Sequence, residues 1–155
     1  MTGIRRLTKS DFLRLRQFWV ERWGGEIIIV LGEIIQYNQV DGFIYDDWLG
    51  LITFVIHGNE CEITSLDSLQ EGKGIGTVLI NAVISEAREK KCRRVAVVTT
   101  NDNLQALGFY QRRGFELVAV HGGAITESRK LKPSISLIGE NNIPLRDEIE
   151  LEMLI

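Results

Sequence analysis

Cysteine, histidine and proline are scarce in this chain, with two of each in 155 residues. Cys61, Cys92, His57 and His121 show no metal-ligand spacing, so no metal centre is expected. His57 and Cys61 can face each other across a hairpin, but two ligands do not make a site. The cysteines read as structural thiols of a reduced protein, and neither has an evident base partner. No Pro/Ser-rich linker, low-complexity tract or internal repeat divides the chain. One domain over residues 1–155 is therefore expected, with a C-terminal extension and strand from about His121. A strong excess of one charge is also missing. The net charge is −3, which offers no electrostatic footprint for nucleic acid. The longest aliphatic run, Ile27 to Leu31, is too short to span a bilayer. The start from Met1 to Leu7 lacks the apolar segment of a signal peptide. These absences set the expectation of a cytoplasmic protein with neither membrane nor nucleic acid as partner.

What remains is an ordinary globular composition, 45% hydrophobic and 25% charged, in a chain long enough for a core. Ile4 to Leu7 reads as a strand. A helix follows from about Asp11 to Trp23, capped by Asp11 or Ser10 and ended by Gly24-Gly25. Phe12, Leu15, Trp19 and Trp23 share one of its faces. Ile27 to Val30 is strand-like. Trp48 to Ile56 and Cys61 to Leu66 form a hairpin turning at Gly58-Asn59. Ile75, Val78, Leu79, Ala82, Val83 and Ala87 trace a helical stripe to about Lys90. Val95 to Val98 suits a strand covered on both faces. A helix over Asn103 to Arg113, a strand over Phe115 to Val120 and a short helix over Ala124 to Leu131 follow. In the last segment Ile149, Leu151, Met153 and Ile155 alternate with Glu148, Glu150 and Glu152, which predicts a strand with its glutamates in water. The order implies an α/β (α+β) sandwich around one mixed sheet, not a regular doubly wound fold.

Two segments carry chemistry. Glu71-Gly72-Lys73-Gly74-Ile75-Gly76-Thr77 is glycine-rich and runs straight into a helix. Glycines at a helix N-terminus let the backbone turn tightly and aim amide hydrogens at one point, where the helix dipole and Lys73 favour an anion. A nucleotide P-loop needs Ser or Thr after Gly-Lys, and Gly74 stands there. A dinucleotide fingerprint needs a glycine where Thr77 stands. The alternative is a simple glycine turn that opens a helix.

The second segment is Asn103-x-x-Ala106-x-x-x-Tyr110-x-x-x-Gly114-Phe115, with Asn103, Ala106 and Tyr110 at i, i+3 and i+7 on one helix face. Asn103 as an N-cap and Tyr110 as a half-buried core aromatic are the structural alternatives. Together, and in this order, the two segments resemble the acyl-CoA-binding core of the GNAT acetyltransferases, over roughly Ile4 to Val120. The second pattern is complete. The first departs from the family's Arg/Gln-x-x-Gly-x-Gly/Ala at Glu71, where a carboxylate beside a pyrophosphate is mildly repulsive.

The resemblance implies a GNAT-like mixed, mostly antiparallel central sheet flanked by helices, and an acetyl-CoA-dependent N-acetyltransferase working by direct transfer in a ternary complex. It implies acetyl-CoA as co-substrate with no metal. It also implies a small-molecule or peptide amine as acceptor, and it admits a homodimer. The pyrophosphate would lie on Gly72, Lys73, Gly74, Ile75, Gly76 and Thr77. Asn103 would bond the cofactor arm, Ala106 would allow close approach, and Tyr110 would sit at the sulfur as general acid. A backbone amide near Leu66 and Asp67 would meet the oxyanion. Glu62 is the nominee for the base, with Glu33 and Asp67 behind it. Asp41, Asp46 and Asp47 could draw a cation, and Trp19 or Trp23 could wall its pocket. The rival is a catalytically inactive acyl-CoA-binding sensor, favoured by Glu71.

Overall fold

The computed structural model describes residues 3–155. Its strands are β1 (Ile4–Arg6), β2 (Ile27–Val30), β3 (Glu33–Gln36), β4 (Asp41–Tyr45), β5 (Gly50–His57), β6 (Glu60–Ser68), β7 (Arg94–Thr100), β8 (Glu116–His121) and β9 (Glu148–Leu154). The helices are α1 (Phe12–Trp23), α2 (Ile75–Glu89), α3 (Leu104–Arg112) and α4 (Ala124–Leu131). Seven strands form a mixed, mostly antiparallel sheet in the order β1-β4-β5-β6-β7-β9-β8, and β2 pairs with β3 alone. The expected α/β class with one mixed sheet is observed. β3 and the insertion of β9 beside β7 are new. The chain gathers into two compact units, one of residues 3–28, 35–95 and 154–155, the other of residues 29–34 and 96–153.

In the first unit, β1, β4, β5 and β6 pair antiparallel in succession. Their apolar faces bury Ile44, Leu51, Ile52 and Phe54 completely, and α2 adds Leu79, Ile80 and Val83. Leu15 and Trp19 of α1 are fully buried, as the helical spacing predicts. Gly24 ends α1 at φ +78°, a left-handed conformation that glycine enters without steric cost. Asp11 does not cap α1 through its side chain. Its carboxylate instead takes both guanidinium nitrogens of Arg5 at 2.9 Å and the Thr8 amide at 2.8 Å.

The β5–β6 hairpin turns at Gly58-Asn59, so His57 pairs with Glu60 and Cys61 with Ile56. His57 and Cys61 therefore do not face each other. Both cysteines are free and buried, and burial pushes the Cys61 thiol up to about 12. That is the wrong direction for a nucleophile. Further along the same ladder, the register shifts between Thr53 and Phe54, leaving Thr64 as the extra residue of a bulge. The buried hydroxyl of Thr53 lies 2.7 Å from that of Thr64 and 2.5 Å from that of Ser65, so the irregularity is internally satisfied.

In the second unit, β8 and β9 pair antiparallel, with Leu117 opposite Leu151 and His121 opposite Glu148. Leu151 is fully buried. The glutamates of β9 do not form the wet face expected of them: Glu148 is 3% exposed. The segment from α4 to β9 is strapped to the end of β7 by side chains. The Asn101 Oδ1 accepts from the Arg146 and Asp147 amides, while its Nδ2 donates to the Pro144 carbonyl. Asp102 Oδ2 accepts from the Glu140 amide at 2.8 Å, and Arg129 donates to the carbonyls of Ile135, Ser136 and Leu145. A Cβ on Gly139 would stand 2.1 Å from Asp102 Oδ2, so this contact requires glycine.

Arg5 holds the Asp11 carboxyl down from 3.8 to about 2, chiefly through their hydrogen bonds. A depressed carboxylate contributes stability above its unfolded pKa and loses it as pH falls through the folded one. Wild-type protein should therefore melt above Asp11→Asn at pH 6, with the gap closing between pH 4 and pH 2. A gap independent of pH in thermal unfolding would assign the effect to packing instead.

Candidate functional site

The glycine stretch lies in the first unit, between β6 and α2. Gly72 and Gly74 both adopt φ +75°, and Gly74 is the N-cap of α2. A Cβ on either would meet nothing within 4 Å, so backbone conformation rather than crowding selects glycine here. Gly72, Lys73 and Gly74 are exposed, and Ile75 is buried. The first turn of any helix leaves amide hydrogens without intrahelical acceptors, and in α2 the earliest such bond runs from Val78 N–H to the Gly74 carbonyl. The result is an open, exposed turn at a helix N-terminus.

What aims this turn is a contact that sequence reading missed. Ile75 and Leu79 pack on β5 at Gly50, where an added Cβ would come within 2.4 Å of Ile75 Cγ2 and 3.1 Å of Leu79 Cδ1. Only glycine lets the start of α2 lie this close to the sheet.

Leu66 and Asp67 lie just before Ser68, the end of β6, opposite Ile52 and Leu51 of β5. The Asp67 side chain is buried and accepts hydrogen bonds from Trp23 Nε1 at 3.0 Å and Arg22 Nε at 3.1 Å. Burial raises its carboxyl pKa, and the two donors oppose that shift. These bonds tie the last turn of α1 to the end of β6, which fixes the backbone at the expected oxyanion amide. Trp23, 42% exposed, is thus a donor to Asp67 more than a core residue.

Glu62 is half-buried on β6, opposite Val55. Four residues of strand, about 13 Å, separate it from Leu66. Glu33 and Asp41 are exposed. Asp46 accepts from the Gly3 amide at 2.8 Å, and Asp47 pairs with Arg14 at 3.0 Å. Arg14 also stacks on Trp48 beside a cleft of about 480 Å³ that includes Phe18, Arg22 and Leu69.

The second segment lies in the second unit. Asn103 caps α3, its Oδ1 accepting from the Ala106 amide at 3.0 Å, so the structural alternative for this residue is realised. Its amide nitrogen leaves a donor group for other use. Ala106 is half-buried, and Tyr110 is 7% exposed between the edges of Phe109 and Phe115, with centroids at 5.4 and 5.6 Å. Gly114 terminates α3 at φ +96°. The strap residues Asn101 and Asp102 sit immediately before this cap, so the C-terminal segment braces the motif. Among the described residues no group of His, Cys, Asp and Glu could hold a metal, and no helix is long and apolar enough to cross a membrane.

The profile of the acetyltransferase (GNAT) family matches residues 11–115. The chain is 41% identical over 139 residues to the uncharacterized protein YdhI of Bacillus subtilis, covering 87% of each chain. This protein belongs to the GNAT acetyltransferase family. Its fold is similar to a GNAT family acetyltransferase from Elizabethkingia anophelis whose structure has acetyl-CoA bound (TM-score 0.74, 19% identity, 99% and 98% of the two chains). It is also similar to the IAA acetyltransferase from Bacillus cereus (TM-score 0.72, 19% identity, all of both chains).

If the open turn receives a pyrophosphate, Gly74→Asp should weaken CoA binding at least about tenfold while the protein stays folded, because Asp tolerates positive φ but adds a negative charge. Calorimetric titration with CoA, alongside circular dichroism, reads both. Undiminished binding by a folded variant removes the assignment.

Proposed function

We propose that this protein is an acetyl-CoA-dependent N-acetyltransferase that passes the acetyl group directly to an amine in a ternary complex. The observation that carries the reading is the paired motif: an open glycine turn at the N-terminus of α2 and a complete Asn103–Ala106–Tyr110 face on α3. Family membership supports it further. The turn from Gly72 to Thr77, with Lys73, receives the pyrophosphate. Asn103 donates from its amide nitrogen to the cofactor arm, and Ala106 leaves room for it.

The acceptor must attack as a neutral amine, and deprotonating an alkylammonium at pH 7 costs roughly 4–5 kcal/mol. Glu62, about 13 Å along β6 from Leu66, takes that proton through bridging water. The nitrogen lone pair adds to the thioester carbonyl carbon, and the oxyanion is met by a backbone amide near Leu66 and Asp67. As the carbon–sulfur bond breaks, Tyr110 gives its proton to the leaving thiolate and regains one from solvent. No acyl-enzyme is involved, in keeping with two buried cysteines whose thiols burial pushes up.

Tyr110→Phe separates this enzyme from a cofactor sensor. Turnover of an amine should fall by about 10²-fold or more, the usual range for a lost acid, with acetyl-CoA affinity nearly unchanged. Equal turnover removes Tyr110 from the chemistry. Amine-independent binding without any transfer, by the wild type as well, favours the sensor. Glu62→Gln should lower kcat by a similar factor, and an unaltered pH–rate profile in that variant would show that Glu62 is not the base.

A further inference from the structure

β8 ends the seven-stranded sheet and pairs with β9 on its inner side. An end strand presents a row of unpaired backbone groups, and short or charged strands keep other chains from using them. The other end of the sheet has that protection: β1 is three residues long, and two of them are arginines. β8 has none. It runs for six residues, Glu116-Leu117-Val118-Ala119-Val120-His121, without a lysine, an arginine or a proline. Its apolar side chains are uncovered, with Leu117 55% exposed, Val118 49% and Val120 70%.

A bulge decides which of these residues share a face. Val118 is the extra residue, between Leu117 opposite Leu151 and Ala119 opposite Glu150. Glu116, Ala119 and His121 oppose Glu152, Glu150 and Glu148, so the three lie on one face. Leu117 and Val120 oppose Leu151 and Ile149 and lie on the other. Glu116 therefore has a like charge directly across the ladder, which is unfavourable.

We propose that β8 is a self-association surface, along which two copies of this chain pair antiparallel about a two-fold axis between Val118 and Ala119. In this register Glu116 opposes the partner's His121, Leu117 opposes the partner's Val120, and Val118 opposes the partner's Ala119. All six residues are paired at once. Because Val118 resets the alternation, both members of each outer pair point to the same face, as an antiparallel ladder requires. Without the bulge, Glu116 and His121 would lie on opposite faces and this register would fail.

The chemistry of the strand is complementary to itself. Leu117 and Val120 of the two copies cover one another, and no like charges stand directly across the seam. His121 Nε2 lies 3.0 Å from Glu150 Oε1, and a charged imidazole can donate to the partner's Glu116 from its other nitrogen. A second copy supplies each of these contacts twice, as a two-fold interface does. No residue of the acetyl-transfer reading takes part, so the two stand independently.

A six-residue seam is small for a specific interface, so the dissociation constant should be on the order of 10–100 μM. Sedimentation velocity from about 5 to 500 μM protein brackets that value and should show a monomer passing into a dimer. Val120→Lys sets an ammonium against the partner's Leu117 on both sides of the axis. It should raise the dissociation constant at least about tenfold. Val120 is exposed in the single chain, so the variant should fold, which circular dichroism and an unchanged acetyl-CoA affinity check.

Disulfide trapping reads the register. Directly opposed residues lie roughly 4.5–5.5 Å apart at Cα, within reach of a disulfide. Leu117→Cys and Val120→Cys proteins, mixed and oxidised, should cross-link far more than either alone, while Cys61 and Cys92 stay buried. A monomer at every concentration leaves the edge to a different partner and overturns the proposal. So does a dimer that Val120→Lys leaves intact, or a mixture that cross-links no better than its components.

Discussion

The start of α2 lies against β5 because Gly50 has no side chain. Any larger residue there would drive into Ile75 Cγ2, 2.4 Å from the position of its Cβ, and push the helix outward. Interiors are close-packed and transmit such a displacement instead of absorbing it. The amides that precede Ile75 would then point elsewhere. The direction in which the glycine turn faces, and with it the proposed phosphate contact, thus depends on Gly50, more than twenty positions earlier in the chain. Gly72 and Gly74 supply the turn, and Gly50 supplies its aim.

A second constraint acts on the other motif. Asn103 caps α3 and Tyr110 is packed between Phe109 and Phe115, so the face they share is rigid. The residues just ahead of the cap, Asn101 and Asp102, spend their side chains on the amides of Glu140, Arg146 and Asp147. The tail beyond His121 is therefore a structural part of the second unit. Its strap leads into β9, which opens at Glu148, whose carboxylate accepts from the Leu31 amide.

The helices and most strands were legible because their signals are local. Ile27–Val30 and Ala124–Leu131 match their expected bounds, and the face of Leu15 and Trp19 is buried as its spacing predicts. β3 carries a single buried apolar residue, Ile35, which is too little for a period-two signal. Glu148 misled for a different reason. Alternation along β9 identifies which residues share a face, but not what covers that face, and the cover comes from Leu31, 117 positions away. The two motifs could be read because each is a contiguous segment whose residue spacing is visible in the sequence. The Gly50 approach, the Asp67 tie to Trp23 and the Asn101 strap could not, since each is a contact between residues distant in the chain.

The central claim is that the glycine turn holds the phosphates of acetyl-CoA despite Glu71, and calorimetric titration of the wild-type protein with acetyl-CoA tests it most directly. The account predicts saturable binding at one site per chain with a Kd on the order of micromolar, within the range of enzyme substrates. Absence of binding up to about 1 mM would contradict it.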